Sequence, residues 1–193
     1  MTTISDSTLY LSNDDLYLLG AGEWYRSYEK LGSHPATDAS GQDGYHFAVW
    51  TPDVRSVAVI GEFNNWDRTS HPMKAVGDGN WEIMIPGVRT LRHRSKVKVA
   101  VTSARGTEDR IPLYATYVVQ DEKTHNFSAA IWNPRKEFEW TDGKFRPKKN
   151  VPPLIYEAHV GMATEEERVG TYLEFMRDIL PRIKKDGYNT VQL

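Results

Sequence analysis

The sequence has no cysteine, no surplus of charge of one sign and no long apolar run. The absence of cysteine among its 193 residues excludes disulfide bonds and favours a reducing compartment. Its 24 basic and 26 acidic side chains leave a net charge of −2, so no basic surplus can neutralise the phosphates of nucleic acid or of an acidic membrane. The apolar runs are too short to cross a bilayer, and residues 1–6 lack the features of a signal peptide. We therefore expect a cytoplasmic protein that has neither nucleic acid nor a membrane as a partner.

Sequence motifs for cofactors and metals are also missing. There is no glycine-rich phosphate loop and no serine nucleophile elbow, and the six histidines are scattered without the spacing of metal ligands. We therefore expect no cofactor and no metal.

Residues 1–42 form a predicted preface with a short helical segment. Leucine and aromatic side chains are frequent in it, and turn signals follow at Gly32, Pro35, Gly41 and Gly44. Because the segment is so aromatic, we expect it to pack on the domain that follows.

From residue 43 to about residue 150 the hydrophobic pattern has a period of two, which is typical of β-strands. The alternation is clearest at Tyr45, Phe47 and Val49, and further candidate strands are residues 56–60, 81–85, 97–101, 113–120 and 127–131. Short strands separated by turn signals at intervals of about ten residues predict an immunoglobulin-like β-sandwich. The predicted fold class is mainly β.

A charged, proline-rich stretch at residues 133–153 indicates a linker, and residues 151–193 are predicted to begin another domain. Residues 154–162 and 187–193 read as two strands around an amphipathic helix, which starts at the capping-box pair Thr171 and Glu174 and is interrupted near Pro181. Parallel strands joined by a helix open an α/β sheet or a (β/α)8 barrel and cannot close a core by themselves. We expect the chain to be the front end of a larger enzyme.

The sharpest local motif is Gly-Glu-Phe-Asn-Asn-Trp at residues 61–66, directly after a predicted buried strand. The flat indole of Trp66 can cover the apolar face of a sugar ring, while Asn64 and Asn65 offer paired donors and acceptors for hydroxyl groups. The alternative is that Trp66 closes one end of the sandwich and the asparagines make turn hydrogen bonds. Lys96 and Lys98 alternate with valines, so they either lie on a solvated sheet face or hydrogen-bond a sugar near Trp66.

Several stretches resemble a known family. Residues 47–52, 61–66 and 79–87 resemble the family 48 carbohydrate-binding module, an immunoglobulin-like module that precedes the catalytic barrel of branching enzymes and isoamylase-type debranching enzymes. Residues 155–162, 180–185 and 187–193 are similar to 1,4-α-glucan branching enzymes of the α-amylase superfamily, and residues 95–99 and 111–115 look like the eukaryotic-type branch. In the related module of AMP-activated kinase, the tryptophan of this motif stacks on glucan, which supports Trp66 as a sugar contact.

The resemblance implies a transferase that cuts an α-1,4 glucan and rejoins the fragment as an α-1,6 branch, by a retaining double displacement between carboxylates. In that family the catalytic carboxylates lie on later barrel strands, so we expect no catalytic residue here and no activity from this chain alone. The implied partners are an α-glucan (glycogen, starch or a malto-oligosaccharide) and the remainder of the barrel. Two alternatives stay open: a stand-alone glucan-binding or scaffold module, and the front end of a debranching hydrolase.

Overall fold

The computed structural model describes residues 10–38, 40–87 and 90–193, and the chain divides into two compact units. The first unit is Met1–Glu137 and the second is Phe138–Leu193. Each unit has its own hydrophobic core.

The first unit is built on two antiparallel sheets. The first sheet has the order β1-β2-β5-β4, and the second has the order β3-β6-β9-β8 with β7 also paired to β6. The strands are β1 Gly32–Thr37, β2 Asp43–Trp50, β3 Ser56–Gly61, β4 Lys74–Gly77, β5 Asn80–Pro86, β6 Lys96–Ser103, β7 Gly106–Arg110, β8 Val118–Gln120 and β9 Phe127–Ala130. The predicted immunoglobulin-like β-sandwich is thus confirmed.

The core of this unit follows from the alternation of apolar residues. Tyr45, Phe47 and Val49 on β2 face the same cluster as Val57 and Val59 on β3. Successive side chains of a strand point to opposite faces, so each strand gives one row of apolar side chains to the space between the sheets. The residues that alternate with this row along a strand face outward. On β6, Val97 and Val99 point into the core, so Lys96 and Lys98 lie on the outer face of the second sheet.

Three strands of the first unit were not predicted from the sequence, because none of them has the alternating apolar pattern of a typical strand. The strand β1 contains Pro35 and lies within the predicted preface, yet it pairs with β2 in register from Gly32 opposite Ala48 to Thr37 opposite Asp43. Proline is tolerated there because β1 is an edge strand. The short β4 and the fully exposed, charged β7 carry no apolar row that a sequence pattern could reveal.

The N-terminal segment packs against the outer face of the first sheet, as expected from its aromatic content. It contains the helix α1, Asn13–Ala21, which begins with a capping box between Ser12 and Asp15, and a 3-10 turn at Ser27–Glu29. The backbone nitrogen of Leu11 donates a hydrogen bond to Glu82 on β5, 3.1 Å away. The ring of Tyr10 meets the buried ring of His46 edge-on, with centroids 4.8 Å apart.

The second unit contains a parallel strand pair and an irregular helix. Strand β10, Ile155–Glu157, pairs with β11, Thr190–Gln192. Between them lie α2, Tyr172–Glu174, a π-helical turn at Phe175–Ile179 and α3, Leu180–Lys185. The expected start at Thr171 is present, and the irregular turn comes before Pro181 because proline cannot bond back to the preceding turn and its ring crowds the carbonyl there. Of the helices in the described part of the chain, none has the length and apolar character that a membrane span requires.

Candidate functional site

The candidate site is the loop that follows β3, where the chain turns sharply in a 3-10 turn at Glu62–Asn64. The turn starts at Gly61, which faces Val97 on β6. A Cβ atom on Gly61 would lie only 2.4 Å from the backbone oxygen of Lys96, so glycine is required for the close approach of the two strands. The loop and the start of β6 are therefore held together.

Asn64 organises this loop through its side-chain amide. Its Oδ1 accepts a hydrogen bond from the backbone nitrogen of Gly61, 2.9 Å away. Its Nδ2 lies 3.1 to 3.2 Å from four acceptors, which are Val59 O, Asp67 O, Ser70 Oγ and His71 Nδ1. An amide nitrogen has only two hydrogens, so these acceptors already exceed its capacity. The donors of Asn64 thus have partners within the turn, an arrangement that agrees with the alternative in which the asparagines make turn hydrogen bonds.

The next two residues bring the loop back in a left-handed conformation. Asn65 has φ 53° and Trp66 has φ 61°. Asparagine tolerates this region, but a bulky aromatic residue with positive φ is uncommon and needs support from its surroundings. The support comes from backbone bonds: Trp66 N donates to Gly61 O at 2.9 Å and Asp67 N donates to Asn64 O at 3.1 Å.

This conformation leaves Asn65 and Trp66 accessible at the edge of the sandwich. Trp66 retains 38 % of its surface exposed, and Asn65 is also exposed. Because the indole of Trp66 is only partly exposed, it keeps its orientation while presenting apolar surface to a ligand. The neighbouring amide of Asn65 supplies a donor and an acceptor. This combination suits a ligand with apolar ring faces and hydroxyl edges.

The two candidate lysines differ in their surroundings. The Nζ of Lys96 lies 3.4 Å from Asp121, whose pKa is held at about 2 mainly by hydrogen bonds from the backbone and hydroxyl of Thr124. The ammonium of Lys98, on the same face of β6, has no hydrogen-bond or ion-pair partner among the residues that the structure describes. Lys98 is half-buried and pairs across the sheet with the fully buried Ile60 at the end of β3. Of the two, Lys98 is the more available donor.

Sequence reasoning missed one contact that shapes the site. Arg68 makes two hydrogen bonds of 3.1 Å to the carboxylate of Asp109 on β7, which ties the far end of the Trp66 loop to the second sheet. A bidentate pair of this kind fixes orientation as well as distance. No sequence signal identified it, because β7 itself was not recognisable as a strand.

The described residues contain no cluster of three or more His, Asp or Glu side chains that could hold a metal ion. The candidate groups are thus the exposed indole and amide of the loop that follows β3 and, on β6, the ammonium of the half-buried Lys98. Such groups can bind and orient a polyhydroxylated molecule.

Comparison with protein families identifies a match that covers this surface. Residues 30–115 match the family described as Carbohydrate-binding module 48 (Isoamylase N-terminal domain). The Trp66 loop, Lys96 and Lys98 all fall within that range.

Curated relatives match over nearly the whole chain. A 1,4-alpha-glucan-branching enzyme of Rhizophagus irregularis is 39% identical over 179 residues, which are 90% of this chain and 25% of the relative. The chloroplastic/amyloplastic 1,4-alpha-glucan-branching enzyme 2-2 of Arabidopsis thaliana is 37% identical, over 93% of this chain and 22% of that protein. The chain spans about a quarter of the length of these relatives.

Solved structures with the same fold are more distant in sequence. A type I pullulanase from Bacillus subtilis, solved in complex with maltose, has a TM-score of 0.59 at 19% identity over 83% of this chain and 23% of its own. The catalytic module of a pneumococcal glycogen-degrading virulence factor has a TM-score of 0.59 at 18% identity, over 85% of this chain and 26% of its own. At this identity the likeness shows the fold alone.

Proposed function

We propose that this chain holds α-glucan for a branching reaction, on the premise that residues 30–115 are a carbohydrate-binding module 48 and that the chain is related along its length to the N-terminal region of 1,4-alpha-glucan-branching enzymes. The observation that carries the proposal is the exposed indole of Trp66, held in a fixed loop inside the module. The larger protein would cut α-1,4 glucan and transfer the fragment to form an α-1,6 branch.

In this proposal the three available groups of the site have separate tasks. The indole of Trp66 covers the apolar face of one glucose unit, which removes apolar surface from water. Asn65 and the ammonium of Lys98 hydrogen-bond hydroxyl groups at the edges of the sugar. Asn64 and Lys96 act indirectly, the first by shaping the loop and the second by linking β6 to Asp121.

The relatives favour branching over the two alternatives. The matches to branching enzymes extend beyond the sandwich into the second unit, and a stand-alone glucan-binding module does not need a strand-helix-strand unit. The debranching alternative draws on structures that are below 20% identical, whereas the branching enzymes are 37 to 39% identical. The second unit would be completed by later strand and helix units of a catalytic barrel. We place the protein in the cytoplasm, although one relative is named as chloroplastic/amyloplastic.

The proposed domain boundaries are those predicted from the sequence, with one qualification. The preface of residues 1–42, the module of residues 43–150 and the barrel start of residues 151–193 remain the proposed functional divisions. Strand β1 lies inside the preface but completes the first sheet of the module.

The direct test is electrophoresis of the chain in native gels cast with and without glycogen. We expect glycogen to retard the wild-type chain and to retard Trp66→Ala much less. Trp140→Ala is the matched control, because Trp140 is 79 % exposed and lies in the second unit. Equal retardation of wild type and Trp66→Ala would contradict the assignment of Trp66, and no retardation of any form would contradict glucan binding by the chain.

A further inference from the structure

A second aromatic surface lies outside the Trp66 loop, where the N-terminal segment meets β1. It is a groove of about 820 Å³, here named the Tyr25/Tyr28 groove. Besides the two tyrosines, its lining includes Trp24, Arg26, His34 and Thr116. Tyr25 is 88 % exposed and Tyr28 is 56 % exposed, so more than half of the surface of each side chain is accessible to a ligand.

The backbone beneath the groove is fixed by buried contacts. Ser27, between the two tyrosines, is buried, and its Oγ lies 2.9 Å from the hydroxyl of Tyr114. Leu31, directly before β1, is fully buried. Lys30 pairs with Asp15 of α1 and also donates to the backbone oxygen of Tyr10, 3.3 Å away. The tyrosines are thus presented by a preformed support, which lowers the entropy that a ligand must overcome.

The charged groups around the groove are largely paired with each other. Arg26 forms an ion pair with Glu29, and Lys30 is paired with Asp15. Burial lowers the pKa of His34, so its ring is uncharged at neutral pH. An anionic ligand would therefore meet no free cluster of cations, which argues against a phosphate-bearing ligand such as nucleic acid.

The groups left to meet a ligand are aromatic faces, hydroxyls and the exposed carboxylate of Glu23, which can accept hydrogen bonds from hydroxyl groups. Tyr25 and Tyr28 each offer an aromatic face and a hydroxyl, and the exposed Thr116 adds a hydroxyl. The Lys30 ammonium lies 6.0 Å from the centroid of the Trp24 ring, at the outer limit of a cation–π contact, and Trp24 adds a third aromatic ring to the groove lining. A neutral ligand with apolar faces and hydroxyl edges matches this surface, and a chain of glucose units has both.

We propose that the Tyr25/Tyr28 groove is a second α-glucan-binding surface, so that one chain holds two glucan strands. The inference rests on the proposed function, because α-glucan is the ligand assigned to the Trp66 loop. The two surfaces are structurally separate: the groove borders β1 in the first sheet, and the Trp66 loop follows β3 in the second. Two weak sites on one body bind a branched polymer more tightly than a short oligosaccharide, because the second contact is intramolecular.

The test is a titration of the ¹⁵N-labelled 193-residue chain with maltoheptaose, observed through the indole N–H signals of Trp24 and Trp66. We expect both signals to move in the wild type. In the Tyr25→Ala/Tyr28→Ala double variant, the shift of Trp24 should disappear while that of Trp66 remains. In Trp66→Ala, the shift of Trp24 should remain. Tyr172→Ala is the control, because Tyr172 is 75 % exposed in the second unit.

Three outcomes would overturn the inference. A Trp24 signal that is unmoved by maltoheptaose in the wild type would exclude glucan from the groove, while a moving Trp66 signal would leave the proposed function intact. A Trp24 shift that persists in the double variant would show that maltoheptaose does not bind through Tyr25 and Tyr28. Sedimentation showing a dimer that the double variant abolishes would mean that a second copy covers the tyrosines.

A milder variant separates binding from folding. Tyr25→Phe/Tyr28→Phe keeps both rings and removes only the hydroxyls, so it should retain the Trp24 shift with an affinity lowered several-fold. A complete loss of the shift in this variant, with the sheet amide signals unchanged, would contradict stacking as the basis of binding.

Discussion

The carboxylate of Glu62 accepts a hydrogen bond of 2.9 Å from the backbone nitrogen of Lys96. This bond joins two parts of the candidate site that are 34 positions apart in sequence. Together with the close packing of Gly61 on β6, it places the Trp66 loop beside the first residues of the strand that carries both lysines. The site is thus a product of sheet pairing, and its geometry depends on the loop contacts more than on any single exposed residue.

Asn64 is expected to stabilise the module without contacting glucan. Replacing it with alanine removes the acceptor for Gly61 N and the donors to the loop oxygens, so the free energy of unfolding should fall by about 1–3 kcal/mol. Asn64→Asp keeps the acceptor and loses the donors, so its free energy of unfolding should lie between those of the wild type and Asn64→Ala. Urea unfolding measures the effect, and a variant as stable as the wild type would show that the amide does not hold the loop.

Lys98 and Lys96 form a matched pair for testing the sheet face. Methionine keeps most of the length of the side chain and removes the ammonium. Lys98→Met should weaken binding of maltoheptaose by about tenfold, equivalent to about 1.4 kcal/mol, because its ammonium pairs with no described residue and can meet a hydroxyl. Lys96→Met should change binding much less, because its ammonium already faces Asp121. The reverse order of effects in a binding titration would show that the wrong lysine has been assigned to the sugar.

Much of the fold was predictable from the sequence because it is encoded locally. The alternation of Tyr45, Phe47 and Val49 identifies β2, and the Thr171–Glu174 capping box marks the start of the helical segment in the second unit. Strand β7 could not be predicted, since all its residues are exposed and its place in the sheet comes only from pairing with β6.

The site was predictable in outline and not in its internal contacts. The residue types at positions 64 to 66 indicate a polar aromatic loop, but they do not show which asparagine makes its side-chain hydrogen bonds within the turn. That division depends on the carbonyls that the loop brings around Asn64, two of which come from Val59 and Asp67. The same holds for Lys96, whose partner Asp121 lies in a turn 25 positions away.

His34 is expected to make the stability of the first unit depend on pH. Burial lowers its pKa below the ordinary value of 6.5, so the unfolded chain binds a proton at a higher pH than the folded chain does. The folded state is therefore destabilised as the pH falls below about 6.5, and this contribution ends below the lowered pKa. Unfolding measured between pH 8 and pH 5 should show a shallower decline for His34→Gln than for the wild type. Parallel profiles would exclude His34 as a source of the dependence.

The second unit is expected to be less protected than the sandwich. Its core contains only three buried apolar residues among those described, and Tyr172, Leu173 and Met176 are more than half exposed on the helical segment. Amide hydrogen exchange should therefore be faster in residues 154–193 than in β2, β3, β5 and β6. Equal protection of both regions in a monomer would contradict this expectation.

The most direct test of glucan binding by the module is the indole N–H spectrum of the ¹⁵N-labelled chain, which has six tryptophans, during titration with maltoheptaose. The indole signal of Trp66 should move progressively and saturate, while that of the exposed Trp140, which belongs to the second unit, serves as the internal reference. A Trp66 signal that stays in place up to millimolar maltoheptaose would contradict the claim that this loop binds α-glucan.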